Sequence, residues 1–272
     1  MLDRHRLALL RSLLVLVAGG LALLTAGPLL AAGSEPVGPH FAEQEAARLS
    51  AAIAAEPTSA AAFARLIRLW DQRGQLADPA ALQAHLERLA ARRDLPPLLR
   101  GWVVFHLAAA LERIGELAAA RTLLAGLGFP PDWRVLGPFE DHGGAGFGEP
   151  FSPEAEARHG TPPDAVYTGA EGEIRWRTLP ELGALGRIDL TPLFARSDEV
   201  LAYLAVAFHL ERASDLALRV GSSDGLKMFV DGQPVHDRQL RRAAVFDQEA
   251  VPLRLAAGWH RLLFKVAHEE GS

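Results

Sequence analysis

Between His40 and Leu127 the apolar positions recur with a helical period. Phe63, Leu66, Ile67 and Trp70 stand at i, i+3, i+4 and i+7, one stripe of a 3.6-residue repeat. Leu82, Leu86 and Leu89 repeat the spacing, as do Val103, Leu107 and Leu111. Pro57, Gly74, Pro79, Pro96-Pro97 and Gly115 interrupt the run. The pattern predicts helices over 40–55, 59–73, 79–93, 97–114 and 116–126, with short connections that make neighbours antiparallel. After Phe129-Pro130-Pro131 the texture changes to short apolar runs punctuated by Gly and Pro. Strands are predicted at 133–136, 173–178, 200–210, 215–220, 226–230, 251–255 and 260–266. The stretch 139–166 has no period and reads as a long ordered loop. The fold class expected is α+β and multidomain: an all-α, repeat-like segment, then an antiparallel β-sandwich of jelly-roll type.

The first 33 residues differ from both. Arg4, Arg6 and Arg11 precede an uncharged run from Ser12 to Gly33 that closes on Ala31, Ala32 and Gly33. That is the layout of a secretory signal peptide. The run is also long enough for an uncleaved anchor, although Gly19-Gly20 and Gly27-Pro28 break it. The domains expected are therefore a signal peptide or anchor at 1–33, a helical domain at 40–128 and a β-sandwich domain at 132–272. Either reading of the leader puts the rest of the chain outside the cytoplasmic membrane. The expected location is periplasmic, cell-envelope or secreted, with membrane contact only through an uncleaved N-terminal segment.

Composition narrows the partners. The 272 residues carry a formal charge of −5 with no basic excess, which argues against nucleic acid. Cysteine is absent, so disulfides, thiolate metal sites and cysteine nucleophiles are excluded.

Gly221–Gly225 satisfies G-x-S-x-G, the pattern of a serine-hydrolase elbow. Such an elbow needs a helix after the serine. Here Leu226–Val230 runs within six residues into Asp231-Gly232, a type I′ hairpin signal. The expected structure is strand, turn, strand, with no catalytic residue. Among other candidates, Trp259 lies beside a turn glycine and is the tryptophan expected to meet a ligand, with Trp133 and Trp176 in the core. Arg238, Arg241 and Arg242 form a small basic cluster in a loop, with Arg241 as a candidate contact to an anionic sugar. Glu140, Asp141 and His142 read as a polar turn. The ten histidines make no zinc pattern and read as exposed or edge residues.

Two resemblances add to this. In 107–120, Leu107, Ala108, Gly115, Leu117 and Ala120 stand at the spacing of a tetratricopeptide repeat. The segments "GSSDGLKMFVDGQPVHD" and "VPLRLAAGWHRLLFKVAHEEG" resemble the second half of non-catalytic jelly-roll modules, of protective-antigen type or galactose-binding-like. "WRVLGPFEDHGGAGF" resembles the entry to such modules in large exported bacterial proteins. The resemblance implies a binding or scaffold protein of the bacterial envelope, not an enzyme, with a glycan or an envelope protein as partner. The alternative it implies is the non-catalytic N-terminal portion of a larger exported transglutaminase-like or peptidase protein. Asp224 is the ligand-binding candidate of the turn. Calcium-binding relatives hold their ion with two consecutive aspartates; here the pair is Ser223-Asp224, one ligand short. No cofactor is carried over, and calcium stays an open alternative. Such modules usually continue beyond the point where this chain ends in "HEEGS", so a shortened C-terminus is expected.

Overall fold

The computed structural model describes residues 12–18, 39–130, 132–159, 164–179, 184–196 and 198–268. It divides into a helical unit and a β unit, the latter running from Phe129 and including the backbone of 13–18.

The helical unit has five helices: α1 (Pro39–Ala55), α2 (Ala62–Asp71), α3 (Pro79–Ala90), α4 (Pro97–Arg113) and α5 (Leu117–Ala125). Prolines open three of them, where a missing N–H costs nothing. Asp78 caps α3, its carboxylate accepting the Ala80 N–H at 2.8 Å. Most of the predicted stripe positions face inward: Leu66, Leu82, Leu86, Leu89, Val103, Leu107 and Leu111 are all buried. Each such side chain contributes about 1.5–3 kcal/mol on burial. Ile67, placed on the stripe by spacing, is exposed instead, and Leu69 takes its place. Gly115 turns the chain between α4 and α5 with φ +87°, and the small Ala108 and Ala120 are buried on those helices.

The β unit opens with β1 (Ser12–Ala18), which pairs in parallel with β6 (Arg187–Asp189), Val17 opposite Ile188. This strand lies inside the expected apolar leader; the rest of 1–33 lies outside the described residues. Among the described residues no helix is long and apolar enough to cross a membrane. The remaining elements are β2 (Arg134–Glu140), α6 (Ala145–Gly148), α7 (Ser152–Glu156), β3 (Val166–Gly169), β4 (Gly172–Arg175), β5 (Arg177–Thr178), β7 (Val200–Leu210), β8 (Ser214–Ser222), β9 (Leu226–Val230), β10 (Gln233–Arg238), β11 (Glu249–Leu255) and β12 (Gly258–His268).

Six strands form an antiparallel sheet in the order β10-β9-β12-β7-β2-β5. A four-stranded sheet runs β11-β8-β1-β6, and β3 pairs with β4 alone. One apolar cluster draws Leu216, Leu218 and Val220 from β8 together with Val135, Leu204, Met228 and Phe264 from the six-stranded sheet. A second cluster lies on the other face of that sheet, where Leu136, Leu201, Tyr203, Phe229 and Leu263 meet Phe147, Tyr167, Ile174 and Trp176. Strand β9 and the second half of β12 are therefore buried on both faces.

The stretch 139–166 is not a plain loop. Glu140 still belongs to β2, and α6 and α7 lay Phe147 and Phe151 against the sheet. Helices this short carry no periodic signal. The strand expected over 173–178 is two: β4 pairs with β3, and β5 pairs with the edge of β2.

The hairpin of β9 and β10 turns at Asp231-Gly232, both with positive φ (50° and 73°), as a type I′ turn requires. Its tip is tied to β12. The Asp231 carboxylate accepts the Arg261 N–H at 2.8 Å, and the Arg261 carbonyl accepts the Asp231 N–H at 2.9 Å. A bulge interrupts β10 between Pro234 and His236.

Candidate functional site

Among the described residues, the outer face of the six-stranded sheet is covered along only half its length. On β12 the residues of this face are Trp259, Arg261, Leu263, Lys265 and Ala267, by the two-residue alternation of a strand. The last three are buried, while Trp259 and Arg261 are exposed. On β7 the series is His209, Ala207, Ala205, Tyr203 and Leu201, again open at one end and covered at the other. Register sets these residues side by side: Trp259 opposite His209, Arg261 opposite Ala207, Leu263 opposite Ala205, and Arg134 of β2 across from Ala205. The open half is a groove of about 620 Å³, within the range of small-ligand sites. Two alanines make its floor. Trp259 stands at one end with 72 % of its surface exposed, its ring 5.4 Å from that of His209 at a 62° interplanar angle. Asp132, Ala157 and Gly232 complete the rim.

The sequence singled out Trp259 but not the residues around it. Arg134, Arg261, Ala205 and Ala207 belong to three strands, and only pairing register puts them on one face. Trp133 and Trp176 are buried, as expected of strand tryptophans.

Asp224 and Arg241 do not join Trp259. The carbonyl of Gly225, next to Asp224, accepts the N–H of Ala267, eight positions along β12 from Trp259, or about 26 Å at the usual rise. Asp224 is wholly buried with φ +57°. Its N–H donates to the Arg242 carbonyl at 3.2 Å, and its carboxylate lies 3.4 Å from both the Arg242 N–H and His268 Nδ1. In this setting Asp224 ties the β8–β9 turn to the chain at 242. Arg241 is exposed beside it. Its neighbours Arg238 and Arg242 are not a free basic loop: both reach Glu249, at 3.2 and 2.8 Å, with His236 3.6 Å away. Burial raises the Glu249 carboxyl, but the two guanidiniums and His236 outweigh it and hold the group below its ordinary value.

Ser223 sits in a strand–turn–strand, β8 to β9, and is buried. The helix that an elbow needs is absent from this described segment. Asp141 is buried and accepts the Phe147 N–H at 2.9 Å, so Glu140–His142 is a turn that starts α6. Among the described residues no three His, Cys, Asp or Glu side chains are grouped to hold a metal ion.

His260 departs from the expectation of exposed histidines. It is buried, with Nδ1 2.7 Å from the Asp231 carboxylate and Nε2 3.0 Å from the Ala256 carbonyl. Both partners can only accept, so both ring nitrogens must carry protons, and the favoured form is the cation. Burial pushes its pKa down, but Asp231 and the Ala256 carbonyl push it up further, and the net shift is upward. A raised folded-state pKa adds stability that is complete below the unfolded value near 6.5 and is lost as pH rises through the folded value. The stability difference between the parent and His260→Gln, from urea midpoints, should therefore shrink above pH 6.5 by on the order of 1 kcal/mol, the scale of a partly exposed charged hydrogen bond. A difference that grows with pH would contradict the cationic assignment.

Compared with known proteins, the chain matches no family model and no curated protein.

Proposed function

We propose that this chain is an exported, non-catalytic binding protein: a tetratricopeptide-like helical scaffold followed by a jelly-roll-like β-sandwich that binds glycan in the open half of its six-stranded sheet. The arginine-flanked apolar leader supports export. Five helices with short connections, and the apolar cluster common to the two larger sheets, support the architecture. The observation that carries the binding reading is Trp259, a large indole left 72 % exposed above an alanine floor in a groove with a few polar groups at its walls. A tryptophan that contributes to no core is expected to stack on a ligand, where it gives much contact area at little entropic cost. The groove floor belongs to the six-stranded sheet, which β1 does not enter, so cleavage of the leader would leave it intact. A glycan array probed with the full chain and with Trp259→Ala tests the reading. Trp259→Ala should leave the fold unchanged by circular dichroism and weaken glycan capture by at least about tenfold, the scale of a central aromatic contact. Equal capture by both proteins would remove the groove from consideration.

A further inference from the structure

We infer that the ligand of this groove is an acidic sugar, a glycan bearing uronate carboxylates; the inference rests on the glycan-binding reading above. Several arginines elsewhere in the β unit are matched to carboxylates. Arg219 pairs with Asp247, Arg196 with Glu140, and Arg238 and Arg242 with Glu249. The two arginines of the groove are not. Arg134 places its guanidinium carbon 5.7 Å over the buried Trp176 ring, a cation–π contact, and among the described residues the guanidinium makes no hydrogen bond or ion pair. Arg261 is exposed, and among the described residues its guanidinium makes no hydrogen bond or ion pair. Arg158 adds a third positive charge nearby, its Nε 3.4 Å from the Gly232 carbonyl. Against them stands Asp132 on the rim. Asp231, which is also close, spends its carboxylate on His260 and the Arg261 N–H. The balance facing the ligand is therefore cationic.

The placement fits one kind of molecule. Trp259 and Arg261 are two residues apart on one face, about 7 Å along the strand. A pyranose laid on the indole thus carries a substituent carboxylate toward the guanidinium fork, which matches carboxylate geometry with two parallel hydrogen bonds. Arg134 is placed to meet a second carboxylate across the alanine floor. A neutral sugar would use the indole and leave both forks unmatched. A nucleic acid backbone would need more cations than this groove presents.

Calorimetry on the full chain tests this, with trimers of galacturonate, mannuronate and glucuronate set against the neutral galactose, mannose and glucose trimers of the same linkage, and hexaglutamate as an acidic peptide. At least one uronate trimer should bind at least about tenfold more tightly than its neutral counterpart, since each tenfold is a single charge-assisted contact's worth of affinity. Arg261→Gln should cancel that preference, Arg261→Lys should restore it in part, and Trp259→Ala should weaken acidic and neutral trimers alike. Neutral trimers binding as well as uronates would overturn the acidic-sugar inference and leave the glycan reading standing. No binding of any trimer, with or without binding of hexaglutamate, would overturn both.

Discussion

Replacing Lys265 by Met should destabilise the β unit by about 3–5 kcal/mol, while the double change Lys265→Met with Glu154→Gln should recover most of that loss. Lys265 is fully buried on the outer face of β12. Its ammonium donates to the Glu149 carbonyl at 2.5 Å and to the Glu154 carboxylate at 3.0 Å. The rings of Phe147, Phe151 and Tyr203 surround it at 5.8, 4.9 and 5.8 Å. The Tyr203 hydroxyl donates to the same Glu154 oxygen at 2.6 Å. Burial pushes the Lys265 pKa down, Glu154 pushes it up, and the net shift is downward. The ammonium is thus worse placed than in water, and the pair as a whole is not a strong net stabiliser. Removing one partner is a different matter, because it strands Glu154 as a nearly buried carboxylate. Tyr203 responds in the opposite sense: burial and the carboxylate both push its phenol upward, so it donates and does not ionise. Urea unfolding, with hydrogen exchange followed across 258–268, reads both variants. A single Lys265→Met variant as stable as the parent would mean that Glu154 is not confined by α7 and the sheet.

The second large effect is at Gly232. Gly232→Val should cost about 2–5 kcal/mol, the sum of a left-handed backbone penalty of about 1–2 and an overpacking penalty of about 1–3. The turn alone would account for the smaller part, since φ is +73°. The larger part comes from Arg158. A Cβ on Gly232 would lie 2.2 Å from Arg158 Cγ and 2.8 Å from its Cα and N. The side chain can move, but the backbone after α7 cannot do so without disturbing the second apolar cluster. Gly172, the first residue of β4, has φ +101° and nothing within 4 Å of a Cβ. Gly172→Val should therefore show the backbone penalty alone. Equal losses at the two glycines, in the same urea melts, would show that Arg158 yields freely.

These two sites also show what could be read in advance. The hairpin at Asp231-Gly232 was legible because turn chemistry is local. The helices were legible because proline and period agree, and the strands because apolar runs fell between turn residues. Lys265 was not. It stands in the strand predicted over 260–266 with nothing to mark it as buried, and its partners Glu149 and Glu154 stand more than a hundred positions earlier, in a stretch without period. Trp259 could be noticed from its neighbouring Gly258, but Arg134 and Arg261 acquire meaning only from the order of three strands. Asp224 misled for the same reason. A Ser-Asp-Gly turn signals a ligand loop when it is exposed, and nothing in its spelling tells that residues near 242 fold over it.

The two margins of the six-stranded sheet bear on how the molecule behaves in company. An unpaired strand edge is a template for adding another chain, and long flat edges seed fibres. One margin here, β5, is two residues long. The other, β10, carries Pro234, which has no N–H to give, then the bulge, then the charged pair Asp237 and Arg238. Neither offers a run of free backbone groups for a second copy to zip onto. Many copies can therefore crowd together without polymerising through this sheet, and contacts between them are left to side chains.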